Sequence, residues 1–391
     1  MKFYFFHLMP YPNMPDDYLA TYGTSWARIP NKHFDPEVGH TLYNQYLDHL
    51  EHAETLGYDG ICVNEHHQTC YGLMPAPNLM AASLARRTSR VDIAILGNAL
   101  PLRNHPLRVA EEVAMLDVIS GGRIISGFVR GVGDEYTAFS TDPTTSRERF
   151  FEAHDLIIRA WTEPGPFSFE GKHYNFRYVN PWPRPLQKPH PPVWMPGQGS
   201  IETVIFAAER RYPYMHVFSP YSQVKRVLEE YKEQARKCGY EATPDQLGWN
   251  IPIYVAETDE RAWEEAEAHL NYFFNKLLKR PIQQFFPPGY ITGQSMARVR
   301  KDDSGGLGHG NKALEKPHNL REMNEKAMIM VGSAATIRDR LRAYEKDSGI
   351  GLIVATLNFG SLPADLTLKN LEIFAKEVLP HFRTEVPAAV G

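Results

Sequence analysis

The sequence is poor in cysteine. Cys62, Cys70 and Cys238 are the only three in 391 residues, too few for a disulfide framework, which points to a reducing compartment. There is no block of lysine or arginine, and the formal net charge is −4, so no electrostatic footprint for nucleic acid is present. No apolar run approaches the roughly 18 residues that a membrane helix needs. The opening MKFYFFHLMPYP is broken by Pro10 and Pro12 and has no small-residue cleavage site. It reads as a first strand and not as a signal peptide, and a cytoplasmic protein is expected. No HExxH or paired CxxC marks a zinc site, no GxGxxG follows the first strand, and no repeat of fixed period appears. What remains is a soluble globular composition, 43% hydrophobic and 23% charged.

Within that composition, strand-like and helix-like patterns alternate. In GHTLYNQYLDHLEHAETLGYDG, Tyr43, Tyr46, Leu47, Leu50, Ala53 and Leu56 form one helical stripe that stops at Gly57. A strand ending at Asn64 follows, then a helix near Pro77 to Arg87, then the strand VDIAILGNAL. The helix PLRVAEEVAMLDVIS carries Val109, Val113, Leu116 and Ile119 on one expected face and ends at Gly121 and Gly122. Counting the N-terminal strand, eight strand-then-helix units can be read, the last starting at IGLIVATLNFG. Short, almost continuously apolar strands suit a parallel sheet buried on both faces. Eight such units favour an α/β fold of the closed (β/α)8 TIM-barrel type. One domain over 1–391 is expected, with insertions at 163–192 and 281–326. The first reads as a hairpin plus an extended run, the second as an active-site lid.

In such a barrel the chemistry lies where strands end. The second strand ends in Asn64, Glu65, His66 and His67, the third in Gly97 and Asn98, and the fourth in Arg130 with Asp134, Glu135 and Tyr136 beyond. Three readings compete for the second end: a metal site, a proton-handling site, or a solvated strand end. Alternation along a strand argues against all three of Glu65, His66 and His67 turning inward together, so no metal is expected. The fifth strand ends in Gly197, Gln198 and Gly199, with Ser200 and Thr203 opening a helix. That turn is either an anion site or a simple serine N-cap. Arg130 and Arg147 are either its counter-charges or surface arginines.

NEHHQT, NHPLRVAEEVAMLDVISGGR, GFVRGVGDEYTAF, QKPHPPVWMPGQGSIET and GIGLIVATLNFG, in this order and spacing, resemble the bacterial luciferase-like monooxygenases, a family of TIM barrels that use FMN. The likeness runs over essentially the whole chain. It implies that His66 is the catalytic histidine, with Glu65 and His67 as its neighbours in the site. It implies that Arg130, Arg147, Gly197, Gly199, Ser200 and Thr203 hold the flavin phosphate, and that Asn98 bonds the flavin edge. The implied reaction is two-component: reduced FMN from a separate flavin reductase takes up molecular oxygen at ring position 4a as a peroxide, which oxygenates a small, uncharged substrate. A homodimer is implied too. Luciferase carries a glutamate where Gly199 stands and a cysteine where Val129 stands, departures that speak against light emission and not against oxygenation. Two rivals share the scaffold: a deazaflavin-dependent hydride-transfer dehydrogenase, and a non-catalytic flavin-binding protein.

Overall fold

The computed structural model describes residues 1–293 and 317–383. Its strands are β1 Lys2–Phe6, β2 Gly60–Val63, β3 Asp92–Ala99, β4 Ile124–Val129, β5 Phe167–Glu170, β6 Asn175–Val179, β7 Val193–Gly197, β8 Tyr214–Val217, β9 Leu247–Ala256, β10 Met330–Ser333 and β11 Leu352–Thr356. Eight of them form a ring in the order β9, β11, β1, β2, β3, β4, β7, β8, and β8 pairs back onto β9 to close it. Every pairing in the ring is parallel. This is the (β/α)8 barrel that the alternating pattern predicts. β5 and β6 form the antiparallel hairpin expected inside 163–192. No helix among the described residues is long and apolar enough to cross a membrane.

Strand pleating sorts the side chains. Tyr4 and Phe6 of β1 share the interior cluster with Cys62, Ala94, Trp194 and Met215. Phe3 and Phe5, one residue out of phase, join Ile61, Ile93 and Met195 in the layer between strands and helices. Each large apolar side chain so buried contributes roughly 1.5–3 kcal/mol by leaving water. Helix Pro36–Thr55 starts at an Asp35 cap that accepts from the Glu37 and Val38 amides, which satisfies two otherwise orphaned donors.

Three details differ from the sequence reading. Ile119 does not join the buried stripe of helix Leu107–Ser120. Ser120 is buried in its place, and Ile119 is exposed beside Met115 and Val118. The unit of β10 and helix Ala334–Ser348 was not foreseen. β10 is four residues long, contains Gly332, and pairs only with the second half of β9, Ile253–Ala256. Its pattern is too brief to stand out, and it lies outside the ring. The third detail is a register shift in β3 between Ile95 and Asn98, which matters for the site.

At that shift β3 and β4 come unusually close. A Cβ on Gly97 would lie 2.5 Å from the Gly127 carbonyl oxygen, and one on Gly127 would collide with the Ile95 carbonyl. Neither obstacle is a flexible side chain. Gly127→Ala is therefore expected to cost about 1–3 kcal/mol of stability, read as a lower urea midpoint with an unchanged slope.

Candidate active site

β2 ends at Val63, and the chain leaves the sheet before Glu65. Strand alternation therefore no longer governs the next residues, and the two histidines turn to different carboxylates. His66 Nδ1 lies 3.0 Å from Glu135 Oε1, and His67 Nε2 lies 2.6 Å from Glu65 Oε1. Glu135 comes from helix Gly133–Ala138, directly after β4. It also accepts from the Val132 amide at 2.8 Å and the His67 amide at 3.3 Å. Burial pushes the Glu135 carboxyl up, but the hydrogen bond and charge of His66, then the His67 charge and the Val132 amide, outweigh it and hold it below its ordinary value. An ionised carboxylate only accepts, so its partner His66 Nδ1 carries the hydrogen. Nε2 then presents a lone pair, and it has no hydrogen-bond partner among the described residues. Trp26 and Tyr71 pack edge-on against the imidazole, with centroids at 5.1 and 5.0 Å.

The ends of the strands surround a cavity of about 300 Å³. Glu65 and His66 line it, as do Arg130, Arg147, Gly197, Gly199, Ser200 and Thr203. The glycine-rich turn and the two arginines predicted from the sequence thus meet in one place. Gly199 has φ +86°, a left-handed conformation that glycine adopts without strain, and its amide donates to the Tyr214 hydroxyl at 2.8 Å. Ser200 is the N-cap of helix Ile201–Glu209, whose positive end faces the turn. Arg130 donates to Ser146 Oγ at 3.2 Å and to the Tyr290 carbonyl at 3.0 Å. Arg147 lies 3.5 Å from Glu202 Oε1, and Ser200 Oγ donates to Glu202 Oε2 at 2.7 Å. Burial pushes the Glu202 carboxyl up, but Ser200, its own amide and Arg147 pull it below its usual range.

Two predicted site residues are not in the cavity wall. Asn98 is fully buried, and its Oδ1 accepts from Asn78 at 3.1 Å. The β3 register shift pairs it with Phe128, which belongs to the layer outside the barrel, so the side chain faces outward. His67 is buried behind His66, where Glu65 also takes Arg103 and the Ala99 amide. Among the described residues no group of three or more His, Cys, Asp or Glu side chains is arranged to hold a metal. The roles of Glu135, Trp26, Tyr71 and Arg280 were not foreseen. Glu135 was visible as a carboxylate just past the β4 end, whereas Arg280 gave no signal. The expected lid falls in part on residues 294–316, which lie outside the described residues. Phe285 and Tyr290, from the segment before them, line the cavity.

A parallel barrel whose strand ends bring a glycine-rich turn and two arginines to the same cavity as a carboxylate-held histidine defines the class of site. The profile of the luciferase-like monooxygenase family matches residues 29–350, and the chain belongs to that family. The alkanal monooxygenase alpha chain of Photobacterium leiognathi is 30% identical over 344 residues, covering 85% of this chain and 91% of that one. The oxygenase component of a flavin-dependent trigonelline monooxygenase from Acinetobacter baylyi is 25% identical over 318 residues, covering 80% and 82%. Among solved structures, the oxygenating constituent of 3,6-diketocamphane monooxygenase from Pseudomonas putida, in complex with FMN, shares the fold with a TM-score of 0.73, 19% identity and coverage of 98% and 100%. An F420-dependent secondary alcohol dehydrogenase also shares it, with a TM-score of 0.65, 15% identity and coverage of 98% and 99%.

Proposed function

We propose that the chain is the oxygenase component of a two-component monooxygenase. It would act in the cytoplasm on a small organic substrate, with molecular oxygen and with reduced FMN delivered by a separate flavin reductase. The observation that supports this most is that one cavity joins an anion pocket to a histidine whose free nitrogen can move a proton.

The donor set fits a phosphomonoester. Arg130 and Arg147 supply charge, Ser200 and Thr203 supply hydroxyls, and the start of helix Ile201–Glu209 supplies amides. Glu202 already fills the role of such an anion, engaging both Ser200 and Arg147. When bound, the reduced flavin supplies the electrons that activate oxygen for insertion. His66 Nε2 takes a proton from the substrate or, once protonated, gives one back. Glu135 is a positioning residue that fixes the tautomer. The apolar walls, among them Phe6, Leu8, Val217 and Phe218, exclude water from the reacting atoms.

The reading is tested by binding reduced FMN without oxygen, then mixing with oxygenated buffer and candidate substrates. Oxygenated product formed in step with flavin oxidation is expected. Failure to bind FMN, with F420 bound and hydride transfer indifferent to oxygen, would reassign the chain to a deazaflavin dehydrogenase. Glu202 sharpens the test. Its carboxylate must share Arg147 with an incoming phosphate, so Glu202→Gln is expected to lower the FMN Kd by about two- to fivefold.

We also propose a homodimer. Leu79 on helix Pro77–Arg87 is 66% exposed, and Met115, Val118 and Ile119 lie exposed on the neighbouring helix Leu107–Ser120. Such apolar outer faces mark association surfaces. Met115→Lys with Val118→Lys is expected to give a monomer by light scattering with its helical content unchanged.

A further inference from the structure

We infer that the cavity recognises a carboxylate on its substrate, through Arg280. This rests on the oxygenase reading and names the substrate class for it. Arg280 is 7% exposed and forms part of the cavity wall. Its guanidinium lies 4.2 Å from the centre of the Trp26 ring and 4.1 Å from that of Phe285. Asp134 Oδ2 is 3.4 Å from Nη1, an ion-pair distance without the geometry of a hydrogen bond, and among the described residues Nε and Nη1 have no hydrogen-bond acceptor. A buried guanidinium with idle donors is costly, and native structures keep one where a partner arrives.

The surroundings say which partner. Asp134 is almost wholly buried and is not part of the cavity wall, so it backs the guanidinium from behind. Burial pushes its carboxyl up, against the pull of Arg280, and Glu135 is already engaged by His66. Asp134 meets only one nitrogen of the guanidinium, so donors remain for a second acceptor. With two aromatic rings over it, the guanidinium offers its edge, and a flat two-oxygen acceptor matches that edge best. The phosphate-type anion is served elsewhere, by Arg130 and Arg147. Arg280 lies within electrostatic reach of Glu135 and Tyr71, so a carboxylate held there sets the rest of the substrate beside His66. Phe6, Leu8, Val217 and Phe218 make the remaining space apolar. The class is a small monocarboxylate with an aliphatic or aromatic body, which departs from the uncharged substrate expected from the sequence.

The test uses acetate, benzoate and cyclohexanecarboxylate, each against its own amide. They are titrated calorimetrically into the full chain with inorganic phosphate saturating the other anion pocket. At least one acid is expected to bind about tenfold or more tightly than its amide. Arg280→Met should abolish that preference while FMN affinity stays within about threefold. Arg280→Lys, which keeps the charge and loses the fork, should retain part of it and guards against a folding defect in the first variant. Equal binding of every acid and amide by the wild type would overturn the inference. So would a preference that survives Arg280→Met, or one that disappears instead in Arg147→Met. If FMN fails to bind yet the preference follows Arg280, the flavin reading falls and the carboxylate site stands.

Discussion

His66→Ala is expected to lower coupled oxygenation by about 10²–10⁴-fold, the usual contribution of a positioned acid–base group. Flavin affinity should hardly change, because the proposed phosphate contacts lie elsewhere in the cavity. The same substitution strands Glu135. That carboxylate keeps only the Val132 and His67 amides, and the breaking of such a buried pair costs about 3–5 kcal/mol. The pH dependence has a definite sign. In the wild type the Glu135 carboxyl lies below its ordinary value. Its pairing stabilises fully above the ordinary carboxylate range and is lost as pH falls through the lower folded value. Without His66, the burial that pushes this carboxyl up is opposed only by the His67 charge and the Val132 amide, so the folded value is expected to rise. The variant's deficit should then be small near pH 4 and grow as pH rises through that raised value, a trend read from urea midpoints. His66→Ala combined with Glu135→Gln should recover most of the stability and none of the activity. Recovery of activity by the double variant would show that His66 serves the fold and not the chemistry.

Arg147→Met is expected to raise the Kd for FMN by about 10–100-fold, the range for one charge-assisted contact. Binding of riboflavin, which has no phosphate, should stay the same. Arg147 is partly buried beside Glu202, where a cation is screened less by salt than at the surface. The wild type should therefore keep much of its preference for FMN over riboflavin at high ionic strength. Fluorescence titration of the two flavins at two salt concentrations checks both statements. Equal weakening of FMN and riboflavin would mean that Arg147 supports the cavity wall and not the phosphate.

The barrel was legible because its evidence is repeated: each unit buries a short apolar strand and stops a helix at glycine or a polar turn. The glycine-rich turn in the cavity wall was legible because its glycines, Ser200 and Thr203 are neighbours in sequence, so their geometry is local. The His66–Glu135 pair was not, since two strand–helix units separate its members and only the pairing of β2, β3 and β4 brings them together. Asn98 was misplaced because the outward turn depends on the β3 shift, and that shift depends on two glycines from different strands fitting against each other. Arg280 was hidden for a similar reason. It stands just before the segment read as a lid, and nothing in LLKRPIQQFF announces Trp26 and Asp134 as its neighbours.

The ring also dictates an order of events during synthesis. Lys2 of β1 pairs with Leu352 of β11, and β11 lies between β1 and β9. On the ribosome β1 has only one flank covered, by β2, until nearly the whole chain has emerged. At about 5–20 residues per second this lasts some tens of seconds. Once β9 has emerged, and until β11 follows, the nascent chain carries two sheet edges that wait for β11, those of β1 and β9, both strongly apolar. A stop codon shortly before β11 would make the condition permanent. Its product should retain most of the helices, be captured by chaperones, and be degraded before it fills a cavity.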